Sequence, residues 1–324
     1  METIDKFLKE SPYSWKANKK KAIYLDFIGK LNKHHYKNCE TYKNILDSLS
    51  FSFKKEKSIQ NFPYLPVNLF KTNSFLSVPR EEIIKTMSSS GTSGAGVSMI
   101  YLNRYNASLQ TKVLNKIVSN FIGTIRLPML VVDSEANFKS KKSFSAKSAA
   151  IRGFSVFAKK VYFLLDKDLK INISVLNQFC KAHNKEKVIV FGFTYSIYKD
   201  FLCALKKIKK KVNLPYGILI HGGGWKKMQD KKISNSSFKD LTTKNTGIKK
   251  IHNYYGLIEQ TGSIYMECEK GFYHTSNFSD ILLRKTLNSL AGIGEKGLVQ
   301  LISPFPVSYP GHNILTQAIG AIFA

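Results

Sequence analysis

Nine consecutive residues, Ser88-Ser89-Ser90-Gly91-Thr92-Ser93-Gly94-Ala95-Gly96, gather serine and threonine hydroxyls around glycines. Glycine permits positive φ and close backbone approach, so successive N–H groups can turn inward as an anion-binding nest. The hydroxyls add donors that a polyphosphate would use. The competing reading is a polar flexible loop, the usual meaning of a Ser/Gly run. Spacing removes two kinds of phosphate loop. No lysine follows any of these glycines, so the G-x-x-x-x-G-K-[ST] pattern is absent. The order Gly91-x-x-Gly94-x-Gly96 reverses the G-x-G-x-x-G dinucleotide fingerprint. Residues 97–102 predict a strand, so a loop that grips phosphate here would do so as a hairpin-like clamp.

Two further stretches pair glycines with reactive or aromatic side chains. His221-Gly222-Gly223-Gly224-Trp225-Lys226-Lys227 follows a predicted strand at 216–220. Consecutive glycines carry an entropic penalty, which close approach of a flat aromatic or a ribose, with Trp225 beside it, would explain. A tight surface turn is the plain alternative, and His221 taken alone reads as a satisfied histidine sooner than as a catalytic one. Tyr254-Tyr255-Gly256-Leu257-Ile258-Glu259-Gln260-Thr261-Gly262-Ser263 follows a predicted strand at 250–253. An aromatic, a glycine and a carboxylate at such an edge could stack a base and hold Mg²⁺ against phosphate. A merely solvated Glu259 is the alternative there.

The elements that must carry these groups follow from apolar periodicity. Residues 1–80 predict a helical N-terminal region packed on the main body: Ile23, Phe27 and Leu31 fall four apart, Ile45 and Leu49 repeat the step, and Pro63 and Pro66 interrupt it. Residues 81–324 form the predicted core. Leu109, Val113, Leu114, Ile117, Val118 and Phe121 predict an amphipathic helix that ends at Gly123. Residues 128–133 read as a buried strand with Asp133 at its C-terminal edge, and 134–150 as an exposed Ser/Lys-rich loop. Strands at 161–165 and 187–194 alternate with helices at 173–182 and 197–208. That alternation argues for an α/β architecture with a parallel sheet, whose ligand belongs at the strand C-termini. The last residues, 319–324, read as an interrupted strand.

Composition narrows the partners. The 324 residues are 43% hydrophobic and 12% aromatic, which is globular rather than disordered. The net charge is +28, yet only five of the 50 basic residues are arginine: Arg80, Arg104, Arg126, Arg152 and Arg284. Nucleic-acid readers favour arginine at bidentate contacts, so spread lysine argues against that partner and leaves acidic partners or anionic membrane surfaces. The run Lys206-Lys207-Ile208-Lys209-Lys210-Lys211 reads as the solvated end of a helix. No apolar run is long enough to span a membrane and the first residues have no signal-peptide character. Cys39, Cys180, Cys203 and Cys268 show no metal spacing and suit a reducing cytoplasm as buried structural thiols.

Taken in order, Ser-Ser-Gly-Thr-Ser-Gly at 89–94, His-Gly-Gly-Gly-Trp-Lys at 221–226, Tyr-Gly-Leu-Ile-Glu-Gln-Thr-Gly at 255–262 and Ser-Tyr-Pro-Gly-His-Asn-Ile-Leu-Thr at 308–316 resemble the adenylate-forming, acyl-activating superfamily. Within it the sequence is most similar to the acyl-protein synthetase family, the fatty-acid-activating subunit of the bacterial luminescence fatty-acid reductase and its relatives. The resemblance runs from about residue 80 to the end. It implies the superfamily's large N-terminal domain and an ATP-dependent ligase that acts in two steps. ATP and a fatty carboxylate give an acyl-adenylate and pyrophosphate, and the acyl group then passes to a thiol on an acceptor protein or carrier. A reductase or acyltransferase partner is implied with it.

The resemblance also implies roles. Ser89, Ser90, Gly91, Thr92, Ser93 and Gly94 would clamp the β- and γ-phosphates. Gly222, Gly223, Gly224, Trp225 and Gly256 would line the adenine, and Tyr255 would stack on it. Glu259 would bind Mg²⁺, and Glu259 and His221 are the catalytic candidates. Several positions depart from the superfamily's pattern. Ile258 stands where a threonine is usual, the phosphate loop lacks the common lysine, and Gln317-Ala318 stand where a ribose-binding acid is expected. The C-terminal lid with its lysine, and the late acyl-accepting cysteine, are not found before Ala324. Two alternatives follow: ligation of another carboxylate to a phosphopantetheine or coenzyme A thiol, and a truncated or degenerate member that binds nucleotide with little turnover.

Overall fold

The computed structural model describes residues 7–53, 56, 58–89, 96–139, 146–225, 233–260 and 262–323. Helices α1 (Ala17–Asn38) and α2 (Glu40–Ser48) precede a two-residue strand β1 (Leu65–Pro66) and a one-turn helix α3 (Leu69–Thr72). Strands β2 (Ile83–Ser88) and β3 (Met99–Asn103) lead into α4 (Arg104–Ile122). The chain continues through β4 (Leu127–Ser134), α5 (Glu135–Lys139), α6 (Ala146–Ser155), β5 (Ala158–Leu165), α7 (Ile173–His183) and β6 (Val188–Phe193). Then come α8 (Thr194–Ser196), a π-helical segment Ile197–Cys203, and α9 (Ala204–Lys207). Strand β7 (Gly217–Gly222), helix α10 (Asn235–Thr246) and strand β8 (Lys250–Tyr255) complete the alternating part. Strands β9 (Tyr265–Glu267), β10 (Tyr273–His274), β11 (Asp280–Arg284), β12 (Lys296–Ile302) and β13 (Asn313–Ala321) close the chain.

Two compact units result. One comprises Met1–Ile117, Gly256–Ile264 and Thr275–Ala324; the other comprises Val118–Tyr255 and Tyr265–His274. We call them units 1 and 2.

Unit 2 holds a seven-stranded sheet in the order β10-β9-β8-β7-β6-β4-β5. Strands β5, β4, β6, β7 and β8 run parallel, and β9 and β10 return antiparallel. Every residue of β4 is buried, as expected for a parallel strand covered on both faces. Leu130, Val132, Val190, Phe201, Leu205, Leu219 and Ile251 share its core. Helix starts carry their own caps. Asn172 Oδ1 accepts from Val175 N at 3.1 Å before α7, and Ser234 Oγ accepts from Ser237 N at 3.0 Å before α10. Helix α10 stops on Gly247, whose φ of 73° is left-handed.

The loop expected at 134–150 contains α5 and the first turn and a half of α6. The apolar positions that fix α6, Ile151 and Phe154, lie beyond the polar stretch, so that stretch alone conceals the helix. Buried Asp133 helps to hold the chain there: its carboxylate accepts from Asn137 Nδ2 at 2.9 Å and pairs with Lys147 Nζ at 2.7 Å.

Unit 1 is antiparallel and assembled from distant segments. Its sheet has the order β1-β13-β12-β11, with β1 parallel to β13 and the remaining pairs antiparallel. Strands β2 and β3 form a separate antiparallel pair. The buried face of α1 is Lys20, Tyr24, Ile28, Leu31, Asn32 and His35, rotated from the predicted Ile23–Phe27–Leu31 stripe, which keeps only Leu31. Leu49 lies past the end of α2 and is 64% exposed. The polar residues on this face explain the rotation: His35 bonds Ser77 Oγ at 2.8 Å and Pro306 O at 3.0 Å, and stacks on His312 with ring centroids 4.8 Å apart. A periodicity count that admits only apolar types cannot see such a face. No helix among the described residues is long and apolar enough to cross a membrane.

Candidate functional site

In unit 2 the motifs meet at the C-terminal edge of the parallel strands. Strands β7 and β8 are neighbours, with His221 opposite Asn253 and Gly222 opposite Tyr254, while Phe193 at the end of β6 lies opposite Gly222. Alternating βα connections bring strand ends to one edge, so residues 30 positions apart in sequence become adjacent. Tyr255, the last residue of β8, is half-buried and its ring lies 6.2 Å from that of Tyr265.

The glycines here are required by the protein's own packing. A Cβ on Gly222 would overlap the Tyr254 ring. Gly223 has a φ of 76°, and a Cβ there would lie 2.8 Å from the Phe193 ring. Gly224 is exposed, and Trp225 is buried with its ring edge-on to Tyr198 at 5.0 Å. Lys226 and Lys227 lie outside the described residues.

His221 is buried, with Nδ1 2.9 Å from Thr194 Oγ1. The Thr194 hydroxyl also lies 3.2 Å from Gly222 O, which can accept from it. Nε2 is buried with no hydrogen-bond partner among the described residues. Burial, followed by the nearby Lys239 and His252, pushes the His221 pKa down to about 3, so the ring is neutral across the physiological range. The Thr194 bridge ties the end of β7 to α8.

In unit 1 the Ser/Gly loop leaves β2 and rejoins β3. Ser89 N donates to Ser98 O at 2.9 Å, and Ser98 N donates to Ser89 Oγ at 2.9 Å. These two bonds close the neck of a hairpin, the geometry expected for 97–102 as a strand. Ser90, Gly91, Thr92, Ser93 and Gly94 lie outside the described residues. Gly96 is exposed with a φ of 70°.

Glu259 sits in a 3-10 turn, Ile258–Gln260, that packs against β3. It is 4% exposed. Burial raises its pKa; a hydrogen bond from Ser98, its own backbone N–H and the charge of Lys71 oppose the rise. The turn is buttressed by the 308–316 motif. Gln260 Nε2 donates to Gly311 O at 3.0 Å, and a Cβ on Gly311 would lie 2.5 Å from Glu259 O. Only glycine permits that approach. Asn106, on α4, accepts from Val307 N at 3.1 Å and Ser308 N at 2.7 Å and so anchors the same motif.

Two residues of this carboxylate's surroundings escaped the sequence reading: Ser98 is the hydroxyl on Glu259, and Lys71 is the cation whose field reaches it. Gly311, within the recognised 308–316 motif, lets the supporting loop close in. Ser98 stands two residues past the last loop glycine, a usable signal. Lys71 is one of 50 basic residues and carries no local mark.

Among the described residues no group of three or more His, Cys, Asp and Glu could hold a metal ion. A transition-metal site built on protein ligands is therefore absent from them. A single buried carboxylate with few donors fits Mg²⁺, which takes one or two carboxylates and fills its octahedron with phosphate oxygens and water. All four cysteines are free; Cys39 is buried and the other three are half-buried.

The family follows from the whole chain. A family model described as acyl-protein synthetase, LuxE, matches residues 1–324. The chain belongs to the acyl-protein synthetase family. A Vibrio harveyi relative named long-chain-fatty-acid–luciferin-component ligase is 21% identical over 96% of this chain and 82% of its own length. An Aliivibrio fischeri protein of the same name is 22% identical over 99% of this chain and 85% of its own. Among solved structures, an open conformation of 2-hydroxyisobutyryl-CoA ligase, in complex with 2-HIB-AMP and CoA, superposes with a TM-score of 0.70. That similarity spans 95% of this chain and 71% of the ligase at 13% identity, and it shows the fold. As a member of the acyl-protein synthetases with the fold of adenylate-forming ligases, the chain is an acyl ligase of the AMP-forming class.

Proposed function

We propose that this acyl-protein synthetase activates a long-chain fatty carboxylate with ATP and transfers the acyl group to a thiol on an acceptor protein or carrier. The observation that carries the reading is the environment of Glu259. A buried carboxylate, supported by a glycine-tight turn, takes hydrogen bonds from the Ser98 hydroxyl and its own amide among the described residues, at the foot of a Ser/Gly hairpin. Buried carboxylates are normally satisfied by several donors, so this one is suited to an external cation.

In the first step a carboxylate oxygen attacks the α-phosphorus. The bond to the bridging oxygen breaks, and its electron pair leaves with pyrophosphate. Ser89, Gly96 and the loop between them hold the β- and γ-phosphates still, each charge-assisted hydrogen bond contributing roughly 1.5–3 kcal/mol. Tyr255 offers an aromatic face to the adenine. Glu259 holds Mg²⁺, which when bound neutralises charge on the phosphates. His221, neutral and bonded to Thr194, positions the end of β7 rather than moving a proton. In the second step the acceptor thiolate displaces AMP from the acyl carbonyl.

ATP–pyrophosphate exchange with fatty acids of graded chain length tests this. Exchange that depends on a long-chain acid supports the proposal, and exchange driven by short carboxylates alone would replace the substrate class. Gln317 and Ala318, which carry no carboxylate on β13, favour a second reading: a member that binds nucleotide with little turnover. ATP binding without exchange for any acid would select that reading.

A further inference from the structure

Unit 1 also holds a cavity of about 480 Å³, lined by α1 between Ala17 and Lys21, by the 3-10 turn Ile59–Asn61 and by residues between Thr275 and Leu282. None of the residues placed around Glu259 lines it. Sites for small organic ligands fall at about 300–1,000 Å³. We infer that this cavity binds an organic carboxylate, with Lys20 and Lys21 on its anionic head and Tyr13, Trp15 and Leu282 against its apolar body.

The walls are fixed by the protein's own contacts. Asn277, 2% exposed, clasps the segment that precedes α1: its N donates to Pro12 O and its Nδ2 to Ser11 O, both at 2.6 Å, while Trp15 N donates to its Oδ1 at 3.1 Å. From α1, the Tyr24 hydroxyl donates to Asn277 O at 3.0 Å. On the side of the 3-10 turn, Arg284 Nη2 donates to Gln60 O at 2.9 Å. A cavity held in this way exists before a ligand arrives, so binding has little chain left to order.

Lys20 gives the cavity its chemistry. It is 7% exposed, with Nζ 5.5 Å from the centre of the Tyr24 ring and 3.4 Å from Asp280 Oδ1. A charge-assisted N–H···O bond closes to about 2.7–2.9 Å, so Asp280 holds this ammonium loosely. An ammonium carries three donors, and a buried charge is normally closely paired; a second carboxylate can supply what Asp280 leaves. Burial lowers the Lys20 pKa and the charge of Asp280 opposes that fall. Lys21 is exposed and adds a second cation to the lining. The charged lining residues are two lysines and one aspartate, a net single positive charge that matches one carboxylate. A dianionic phosphate would exceed it and crowd Asp280.

The test follows the fluorescence of Trp15, one of two tryptophans, together with calorimetry on the full chain without nucleotide. Benzoate, dodecanoate and inorganic phosphate are titrated into wild type, Lys20→Met, Lys21→Met and Asp280→Asn, with melting temperatures in parallel. Wild type is expected to saturate with benzoate or dodecanoate and not with phosphate. Lys20→Met should weaken the carboxylate tenfold or more while melting within a few degrees of wild type. Lys21→Met, at an exposed position, should weaken it several-fold. Asp280→Asn should tighten the carboxylate and admit phosphate, which a purely structural ion pair would not do. Lys20-dependent binding of dodecanoate alone makes a fatty acid the occupant, and of benzoate a compact aromatic acid; either supports the site. Three results would overturn it. They are no saturation by either carboxylate, tighter binding of phosphate than of the carboxylates by wild type, and unchanged affinity in Lys20→Met. Should Lys20→Met not fold, unchanged affinity in Lys21→Met and Asp280→Asn decides in its place. No nucleotide is present, so failure here leaves the adenylation reading standing, and pyrophosphate exchange tests that reading separately.

Discussion

Two buried glutamates, eight positions apart in sequence, are treated oppositely by the fold. Glu267, at the end of β9 in unit 2, is 1% exposed and fully engaged. It accepts from Lys239 Nζ at 2.8 Å, from Asn253 N at 3.1 Å and from Asn235 Nδ2. Glu259, in unit 1, is 4% exposed and among the described residues has the Ser98 hydroxyl and its own amide as partners, with Lys71 acting through its field. Equal burial with unequal partnership separates a carboxylate that holds structure together from one held ready for a ligand. Fixed donors serve stability; missing ones leave a site that a cation can complete.

Breaking the structural side of that comparison should give the largest change in stability. Glu267→Gln leaves Lys239 facing a neutral amide inside unit 2, and loss of one partner of a buried pair costs about 3–5 kcal/mol. A lowered urea midpoint is expected, with exchange per folded molecule retained at temperatures where the variant is folded. An unchanged midpoint would mean that the Glu267 network contributes nothing beyond packing.

Acidification sharpens the contrast next. His312 and His221 are fully buried, and burial pushes each pKa down to about 3, while His35 moves the same way, below its ordinary value. In the unfolded chain they take up protons near pH 6.5. Above that pH neither state is protonated and they add no pH dependence. Below it the unfolded state binds more protons, so stability falls as pH drops from about 6.5 toward 3, at ~1.4 kcal/mol per pH unit for each histidine. Thermal melts at pH 7.5, 6.0 and 5.0 check this, and His312→Gln should flatten the acid limb. A flat wild-type profile would contradict the burial of these rings.

The smallest effect is expected at Ser98. Ser98→Ala removes a side-chain donor on Glu259 and should lower exchange roughly tenfold, the worth of a hydrogen bond to a charged group. The urea midpoint should shift by no more than about 1 kcal/mol, because the hairpin neck keeps its Ser89 N to Ser98 O bond. Equal loss of stability and activity would make Ser98 a structural residue.

Unit 2 was readable because its information is local. Residues 128–133, 187–194 and 216–220 are largely apolar runs that became β4, β6 and β7. Glycines 222–224 were visible as an anomaly, but their cause was not: Gly222 and Gly223 make room for Tyr254 and Phe193 of the same chain. Unit 1 resisted because its contacts join distant positions. Asn32 meets His312, Asn106 meets Ser308, and the Glu259 turn meets Gly311. Each partner is polar or glycine, so no periodicity announces it. The 308–316 motif was recognised as a pattern, and its physical work, holding the Glu259 turn in place, appears only in three dimensions.

The central claim, that buried Glu259 serves the adenylation step, is tested most directly by one comparison. ATP–pyrophosphate exchange with a long-chain fatty acid is measured for wild type and Glu259→Gln, each shown to be folded by its melting curve. Glu259→Gln should lose at least about a hundredfold in exchange, as removal of a key electrostatic group does, and should melt no lower than wild type because burial already disfavours the charged carboxylate that the substitution removes. Wild-type exchange that survives the substitution unchanged would contradict the account.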